Sequence, residues 1–267
     1  MNKQIAQAFA RARREERAAL IPYVTAGFPH LSALPDVVKA LTEAGADIIE
    51  IGIPFSDPLA DGPVLQKAAT AALANGTRVR DILETMAALT PKAPPMVFLT
   101  YINPVFHFGI EAFSREAQKA GMSGLIIPDL PWVEGRSMRE SAESSGLALI
   151  PLVAPTSTDA HLRAIRKAQG FVYGVSVTGV TGARTSVDRG VESLVQRVKA
   201  VVDLPVAVGF GISSPEQARQ VGSVADGVIV GSALVQAMAD SRGKAPEVCY
   251  QFVKDLRNAL DNMVAKA

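Results

Sequence analysis

A glutamate set among isoleucines is the first residue of this chain that invites a chemical reading. The run is Asp47-Ile48-Ile49-Glu50-Ile51-Gly52-Ile53. A carboxylate with such neighbours is costly unless it is paired or protonated. Two readings of Glu50 stand side by side: a strand acid paired with a basic side chain, or a general acid/base whose pKa is raised by apolar walls. Directly after it comes Pro54-Phe55-Ser56-Asp57-Pro58-Leu59-Ala60-Asp61-Gly62-Pro63, a stiff, acidic loop. Asp57, before a proline, fits a turn or a cap. Asp61 fits either a helix N-cap or a carboxylate reaching over a site near Glu50.

Glycine loops carry the second signal. Gly209-Phe210-Gly211-Ile212 follows one apolar run and leads into a helical stretch, and Gly231-Ser232 does the same after the next run. Glycines let backbone N–H groups approach an anion, and a helix N-terminus adds a favourable dipole. A third loop, Thr178-Gly179-Val180-Thr181-Gly182, precedes a polar stretch running to Arg189 that suits a lid. Ordinary turns also use glycine, but three such loops on consecutive units favour a phosphate site. No lysine stands at an evident strand end, which disfavours a Schiff-base aldolase. The three histidines, His30, His107 and His161, are far apart, and no metal-ligand cluster is visible. What remains is metal-free acid–base work on a phosphorylated substrate. Tyr101 and Tyr173, read as strand-end residues, would add aromatic surface for a flat apolar group.

These residues need a scaffold. Eight apolar runs read as strands: 19–25, 47–53, 96–101, 124–128, 148–153, 171–177, 205–209 and 227–230. Between them lie helical periodicities, such as Leu34, Val37, Val38 and Leu41, and others at 64–73, 110–120, 134–145, 159–168, 191–202 and 215–221. Glycines at 45, 76, 121, 146 and 170 follow helical stretches as C′ residues do, and Ser214-Pro215 reads as an N-cap with proline at the first helical position. Apolar strands alternating with amphipathic helices mean a parallel sheet covered by helices. Eight repeats of about 33 residues fit a closed (β/α)8 TIM barrel better than an open sheet of five or six strands. Pro22, Pro128 and Pro151 fall in or beside the runs and are expected at strand ends or bulges. Residues 2–17 and 248–263 form extra helices, the second closing the barrel or its bottom. The run Arg11, Arg13, Arg14, Arg17 reads as a solvated face. One domain, 1–267, accounts for the chain.

Composition narrows the class. The 267 residues are 48% hydrophobic and 20% charged with a net charge of +1, which excludes disorder and gives no general pull toward nucleic acid. The single cysteine, Cys249, cannot form an intramolecular disulfide. Neither a secretory signal nor a membrane span is evident, so a soluble cytoplasmic protein is expected.

Taken together, the motifs resemble one family. Glu50-Ile-Gly-Ile-Pro-Phe-Ser-Asp-Pro-Leu-Ala-Asp61-Gly-Pro is similar to the signature of tryptophan synthase alpha subunits. The likeness extends through Leu99-Thr-Tyr-Ile-Asn-Pro-Val-Phe, Pro128-Asp-Leu-Pro, Gly179-Val-Thr-Gly182 and Gly209-Phe-Gly211-Ile. The resemblance implies a lyase that cleaves indole-3-glycerol phosphate to indole and glyceraldehyde 3-phosphate by a retro-aldol reaction. It makes Glu50 the catalytic acid/base and Asp61 the carboxylate at the indole N–H. It puts Tyr23, Leu99, Ile126 and Tyr173 on the indole slot, Thr181 on the lid, and Gly182, Gly211, Gly231 and Ser232 on the phosphate. Val177 stands where some members carry an arginine at the lid approach.

The resemblance also implies a partner: a beta subunit that holds pyridoxal phosphate and consumes the indole in an alpha2-beta2 complex, with no cofactor on this chain. The loop around Asp57 and the stretch 103–108, read as a loop with apolar Val105, Phe106 and Phe108, would dock it. Two other readings remain. A phosphoribosyl-ligand isomerase on the same scaffold would want acid/base residues at the first and fifth strand ends, where this chain has Thr25 and Val153. A non-catalytic activator of a partner is disfavoured by the pair Glu50 and Asp61.

Overall fold

Short β-branched runs separated by amphipathic segments fold here into alternating strands and helices. The computed structural model describes residues 3–89, 93–175, 189–209 and 211–262. In chain order these form α1 (Lys3–Arg14), β1 (Ala19–Thr25), α2 (Leu34–Glu43), β2 (Ile49–Gly52), α3 (Pro63–Ala74), α4 (Val79–Ala87) and β3 (Met96–Leu99). Then follow α5 (Ile102–Phe108), α6 (Ile110–Lys119), β4 (Met122–Ile126), α7 (Arg136–Ser144), β5 (Ala148–Leu149), β6 (Leu152–Val153) and α8 (Asp159–Ala164). The chain ends with β7 (Val172–Val175), α9 (Arg189–Lys199), β8 (Val206–Gly209), α10 (Pro215–Gly222), β9 (Gly227–Val230), α11 (Ser232–Asp240) and α12 (Ala245–Asp261).

All pairings are parallel, in the order β5-β4-β3-β2-β1-β9-β8-β7-β6. The two outermost segments are halves of one strand. Ile150 N donates to Leu125 O on one side and Tyr173 N donates to Pro151 O on the other, so the sheet closes on itself. The expected run 148–153 is therefore split at Pro151, which lacks the N–H a continuous ladder needs. Pro128 lies beyond the end of β4, as expected. Pro22 does not: it sits inside β1. It is tolerated because the ladder to β9 ends there, at Pro22↔Val230, and the ladder to β2 begins one residue later, at Tyr23↔Glu50. The other boundaries shift by a few residues. The expected strand 47–53 shortens to Ile49–Gly52, although the Asp47 amide still donates to Leu20 O at 2.9 Å, and 124–128 becomes Met122–Ile126.

Side chains alternate across the barrel wall. Leu20, Ile49, Ile51, Phe98, Leu125 and Val228 face the helices in one buried cluster. Ala19, Ile21, Ile48, Val97, Ile126, Ile150, Phe171, Ala207 and Ile229 fill the interior. That inner cluster continues into Ile5, Ala8, Phe9 and Ala12 of α1. The Phe9 ring lies 5.5 Å from that of Phe171, so α1 plugs the N-terminal end of the barrel. The long C-terminal helix does not close that end. It packs along the flank against α2, α10 and α11, burying Cys249, Val253, Leu256 and Leu260. Cys249 is a free thiol whose pKa is pushed up to about 12 by burial.

The basic run near the N-terminus is not simply a solvated face. Asp47 is buried at the plugged end. It accepts from Arg11 Nη2 at 2.9 Å, from Arg17 Nη1 at 2.6 Å, from Arg257 Nη1 at 3.2 Å and from the Leu20 amide at 2.9 Å. Arg13 and Arg14 are exposed, as expected, whereas Arg11 and Arg17 turn to the buried carboxylate because it lies directly beneath the end of α1.

Candidate active site

Glu50 points into the barrel. It pairs in register with Tyr23 and Val97, and Val97 belongs to the inner cluster, whereas its neighbours Ile49 and Ile51 belong to the outer one. The residue is 1% exposed, and neither carboxyl oxygen has a hydrogen-bond partner among the described residues. No basic side chain among them pairs with it, which removes the first of the two readings. Burial, then the nearby charge of Asp61, pushes its pKa up to about 8. Near neutral pH it is therefore mostly protonated, an acid awaiting a base.

Asp61 does not cap a helix. The N-cap of α3 is Gly62, and Asp61 sits one residue earlier in the loop that follows β2. Its amide donates to Pro58 O at 2.9 Å and its carbonyl accepts from Gln66 Nε2 at 2.8 Å, which fixes the turn. Burial raises the carboxyl pKa to about 6, and the nearby Tyr101 hydroxyl partly counters this. The two carboxyl groups thus differ in the direction acid–base work requires, Glu50 holding a proton where Asp61 has lost one. Asp57 is exposed in the same loop, accepting from Ser56 Oγ at 2.6 Å.

Around these groups the barrel presents aromatic and aliphatic surface. Tyr23 is buried, its hydroxyl 3.2 Å from Thr25 Oγ1. Leu99 and Ile126 end β3 and β4. Tyr173 lies within β7 rather than at its end, and packs against the inner cluster. Burial raises the pKa of both tyrosines, and both feel the charges of Glu50 and Asp61. Over Tyr23 and Leu99 sits α3, with Val64, Leu65 and Ala68.

The glycine loops lie on the same rim. The strands run β2, β1, β9, β8 around the wall, so Glu50, Tyr23, Gly231 and Gly211 follow one another in that order. Gly231 is the N-cap of α11 and lies against the Tyr23 ring; a Cβ there would meet Tyr23 Cβ at 3.5 Å. Ser232 opens that helix and is exposed. Gly211 has φ +56 and open space around it, so glycine is required by backbone conformation and not by crowding. First-turn amides of a helix have no intrahelical partner and face whatever anion the rim admits. Thr181 and Gly182, expected at the lid and phosphate, lie outside the described residues, as does Val177.

Two contributors escape a reading by sequence. Tyr101, which reads along the chain only as aromatic surface, touches the Asp61 loop. Gly52 reads as an ordinary strand residue, yet a Cβ there would fall on the Tyr23 hydroxyl. Gly52→Ala is expected to push that ring out of its seat and lower kcat/KM by about 100-fold, since about 1 Å of misplacement can cost that much. Steady-state kinetics check it; an unchanged kcat/KM would mean that the ring position is unimportant.

Among the described residues no group of three or more His, Cys, Asp or Glu side chains could hold a metal ion, and no helix is long and apolar enough to cross a membrane. The stretch 103–108, expected as loop, is helix α5. Val105 packs inside while Phe106 stays 56% exposed.

The family model described as tryptophan synthase alpha chain matches residues 9–264. The tryptophan synthase alpha chain of Microcystis aeruginosa is 46% identical over 260 residues, covering 96% of this chain and 98% of that one. That of Carboxydothermus hydrogenoformans is 50% identical over 235 residues, covering 87% and 88%. Among solved structures, a tryptophan synthase chain from Mycobacterium tuberculosis superposes with a TM-score of 0.89 at 42% identity, covering 97% of this chain and 98% of that one. The alpha subunit from Legionella pneumophila gives 0.90 at 32% identity with the same coverage. The chain belongs to the tryptophan synthase alpha chain family, the lyases that cleave indole-3-glycerol phosphate to indole and glyceraldehyde 3-phosphate in tryptophan biosynthesis.

Proposed function

We propose that Glu50 and Asp61 divide the chemistry of this cleavage between them. The carbon–carbon bond breaks only if the electron-rich indole leaves as a neutral ring, so C3 must first gain a proton. Glu50 gives that proton. It then takes the proton of the glycerol hydroxyl as the bond electrons return to the ring and the carbonyl forms, which restores Glu50 to its starting state. Asp61, as the carboxylate, accepts the indole N–H and stabilises the positive charge that develops there. The observation that carries this reading is the buried, unpartnered carboxyl group of Glu50 with its raised pKa, beside an acid that ionises first.

Tyr23, Leu99, Ile126 and Tyr173 form the slot for the indole. Gly211, Gly231 and Ser232 hold the phosphate by backbone amides, with Gly182, while Thr181 belongs to the lid. The whole chain, 1–267, acts as one barrel domain, a reading supported by α1 and α12 packing onto the same barrel. The enzyme works in the cytoplasm, without a cofactor of its own. Its partner is a beta subunit carrying pyridoxal phosphate, in an alpha2-beta2 complex. Leu59, Phe106 and Val133, at 89%, 56% and 71% exposure, follow three consecutive strands of the rim and form the apolar docking patch, beside Asp57.

The test is release of indole from indole-3-glycerol phosphate by the purified chain. Asp61→Asn should lower kcat by about 10²–10³-fold, the usual effect of losing one electrostatic stabiliser. Substrate binding through the phosphate should persist. Activity within a few-fold of the parent would remove Asp61 from the mechanism.

A further inference from the structure

Tyr101 touches the Asp61 loop in a way the acid–base scheme leaves unused. The residue is 2% exposed and caps the start of α5. Its backbone is anchored on both sides: Thr100 N donates to Ile126 O at 3.0 Å, and Ile102 N donates to Asp129 Oδ1 at 2.9 Å. Its ring lies 5.4 Å from that of Phe55 at the start of the acidic loop. Its hydroxyl oxygen accepts the Ala60 amide at 3.0 Å. That bond occupies an acceptor site, which leaves the hydroxyl hydrogen for the neighbouring Asp61 carboxylate.

We propose that Tyr101 is a positioning residue that holds the Asp61 carboxylate over the barrel mouth, its hydroxyl accepting from the loop backbone and donating to the acid. This rests on the role proposed above for Asp61. A loop between a strand and a helix has few ways to aim a carboxylate, because its own backbone bonds, Asp61 N to Pro58 O and Gln66 Nε2 to Asp61 O, fix the turn and not the side chain. A buried hydroxyl anchored beyond the adjacent strand supplies the missing constraint. It also favours the charged form of Asp61 against the cost of burial, and that charge helps keep the proton on Glu50. One hydroxyl therefore influences both acids, one directly and one through the other.

The test compares Tyr101→Phe, Tyr101→Leu and the double variant Tyr101→Phe/Asp61→Asn with the parent and with Asp61→Asn, all on indole-3-glycerol phosphate. Phe keeps the ring against Phe55 and removes only the hydroxyl. It should lower kcat/KM by about 10–100-fold, the weight of a hydrogen bond to a charged group. It should also move the acid limb of the pH profile upward. In the Asp61→Asn background the same change should have little further effect, because the acceptor charge has gone. If Phe behaves as the parent in rate and acid limb while Leu is impaired, Tyr101 serves packing alone and the proposal falls. The proposal also falls if Tyr101→Phe costs as much in the Asp61→Asn background as it does in the parent. Should Asp61→Asn itself retain activity, the reading of Asp61 fails first, and the two failures are told apart.

Discussion

Glu50→Gln should bind the phosphate ester and release almost no indole. The expected loss in kcat is about 10²–10⁴-fold, the usual contribution of one positioned acid/base. Gln matches Glu in shape but can neither give nor accept the proton that C3 and the glycerol hydroxyl exchange. In the parent, kcat/KM should trace a bell. Asp61 must be ionised, so activity falls below about 6; Glu50 must hold its proton, so activity falls above about 8. These limbs belong to the pair, since each charge shifts the other.

The same proton governs stability. Glu50 has a folded pKa above its ordinary value of 4.5, so the native state binds the extra proton between 4.5 and about 8, and stability falls as pH rises through that window. Glu50→Gln removes this ionisation, and its melting temperature should fall less between about pH 5 and pH 8 than that of the parent. A Gln variant with near-parental turnover would take Glu50 out of the mechanism. An equally steep pH dependence of melting would show that the destabilising proton loss lies elsewhere.

The largest stability effect is expected at the other end of the barrel. Asp47→Asn should cost about 3–5 kcal/mol, because it strips the charge from a buried group on which three arginines converge. The Arg17 and Arg257 side chains are only 8% and 6% exposed, and would be left without their shared counter-charge. Arg257 would keep an ion pair with the half-exposed Asp261, its Nε 2.8 Å from Asp261 Oδ1, while its Nη2 has no hydrogen-bond partner among the described residues. Burial alone would raise the Asp47 pKa. The Arg17 hydrogen bond, the Leu20 amide, the Arg17 charge and the Arg11 hydrogen bond overcome it and hold the carboxyl below its usual range. A depressed carboxyl pKa contributes stability above the unfolded value and loses it as pH falls through the folded one. The parent should therefore lose this contribution only in acid, below about pH 4, while the Asn variant lacks it throughout. Urea denaturation across pH measures both. A difference under about 1 kcal/mol at neutral pH would mean that the cluster is structurally silent.

Much of the fold is legible along the chain because a parallel barrel writes itself locally. Each β-branched run, each helical stripe and each terminal glycine is a short-range signal, and eight repeats leave few ways to arrange them. What resists such reading are effects that depend on register. Pro22 is harmless inside β1 only because two ladders change over at that residue. Residues 103–108 look like a loop because of Pro104, but proline is compatible with the first turn of a helix. The arginine run looks solvated because its partner, Asp47, is 30 residues or more away.

The amino-acid order alone determined the alternation of elements, the apolar surroundings of Glu50, the acidic loop and the glycines of the rim. Only the tertiary structure decided that Glu50 turns inward with no cation beside it among the described residues, that the Asp61 loop is tied to the Tyr101 hydroxyl, and that Gly52 leaves room for the Tyr23 ring. The physical reason is distance. Periodicity and turn chemistry act over a few residues, whereas desolvation and hydrogen-bond partnership are set by groups that closure of the barrel brings together from β1, β2, β3 and β7.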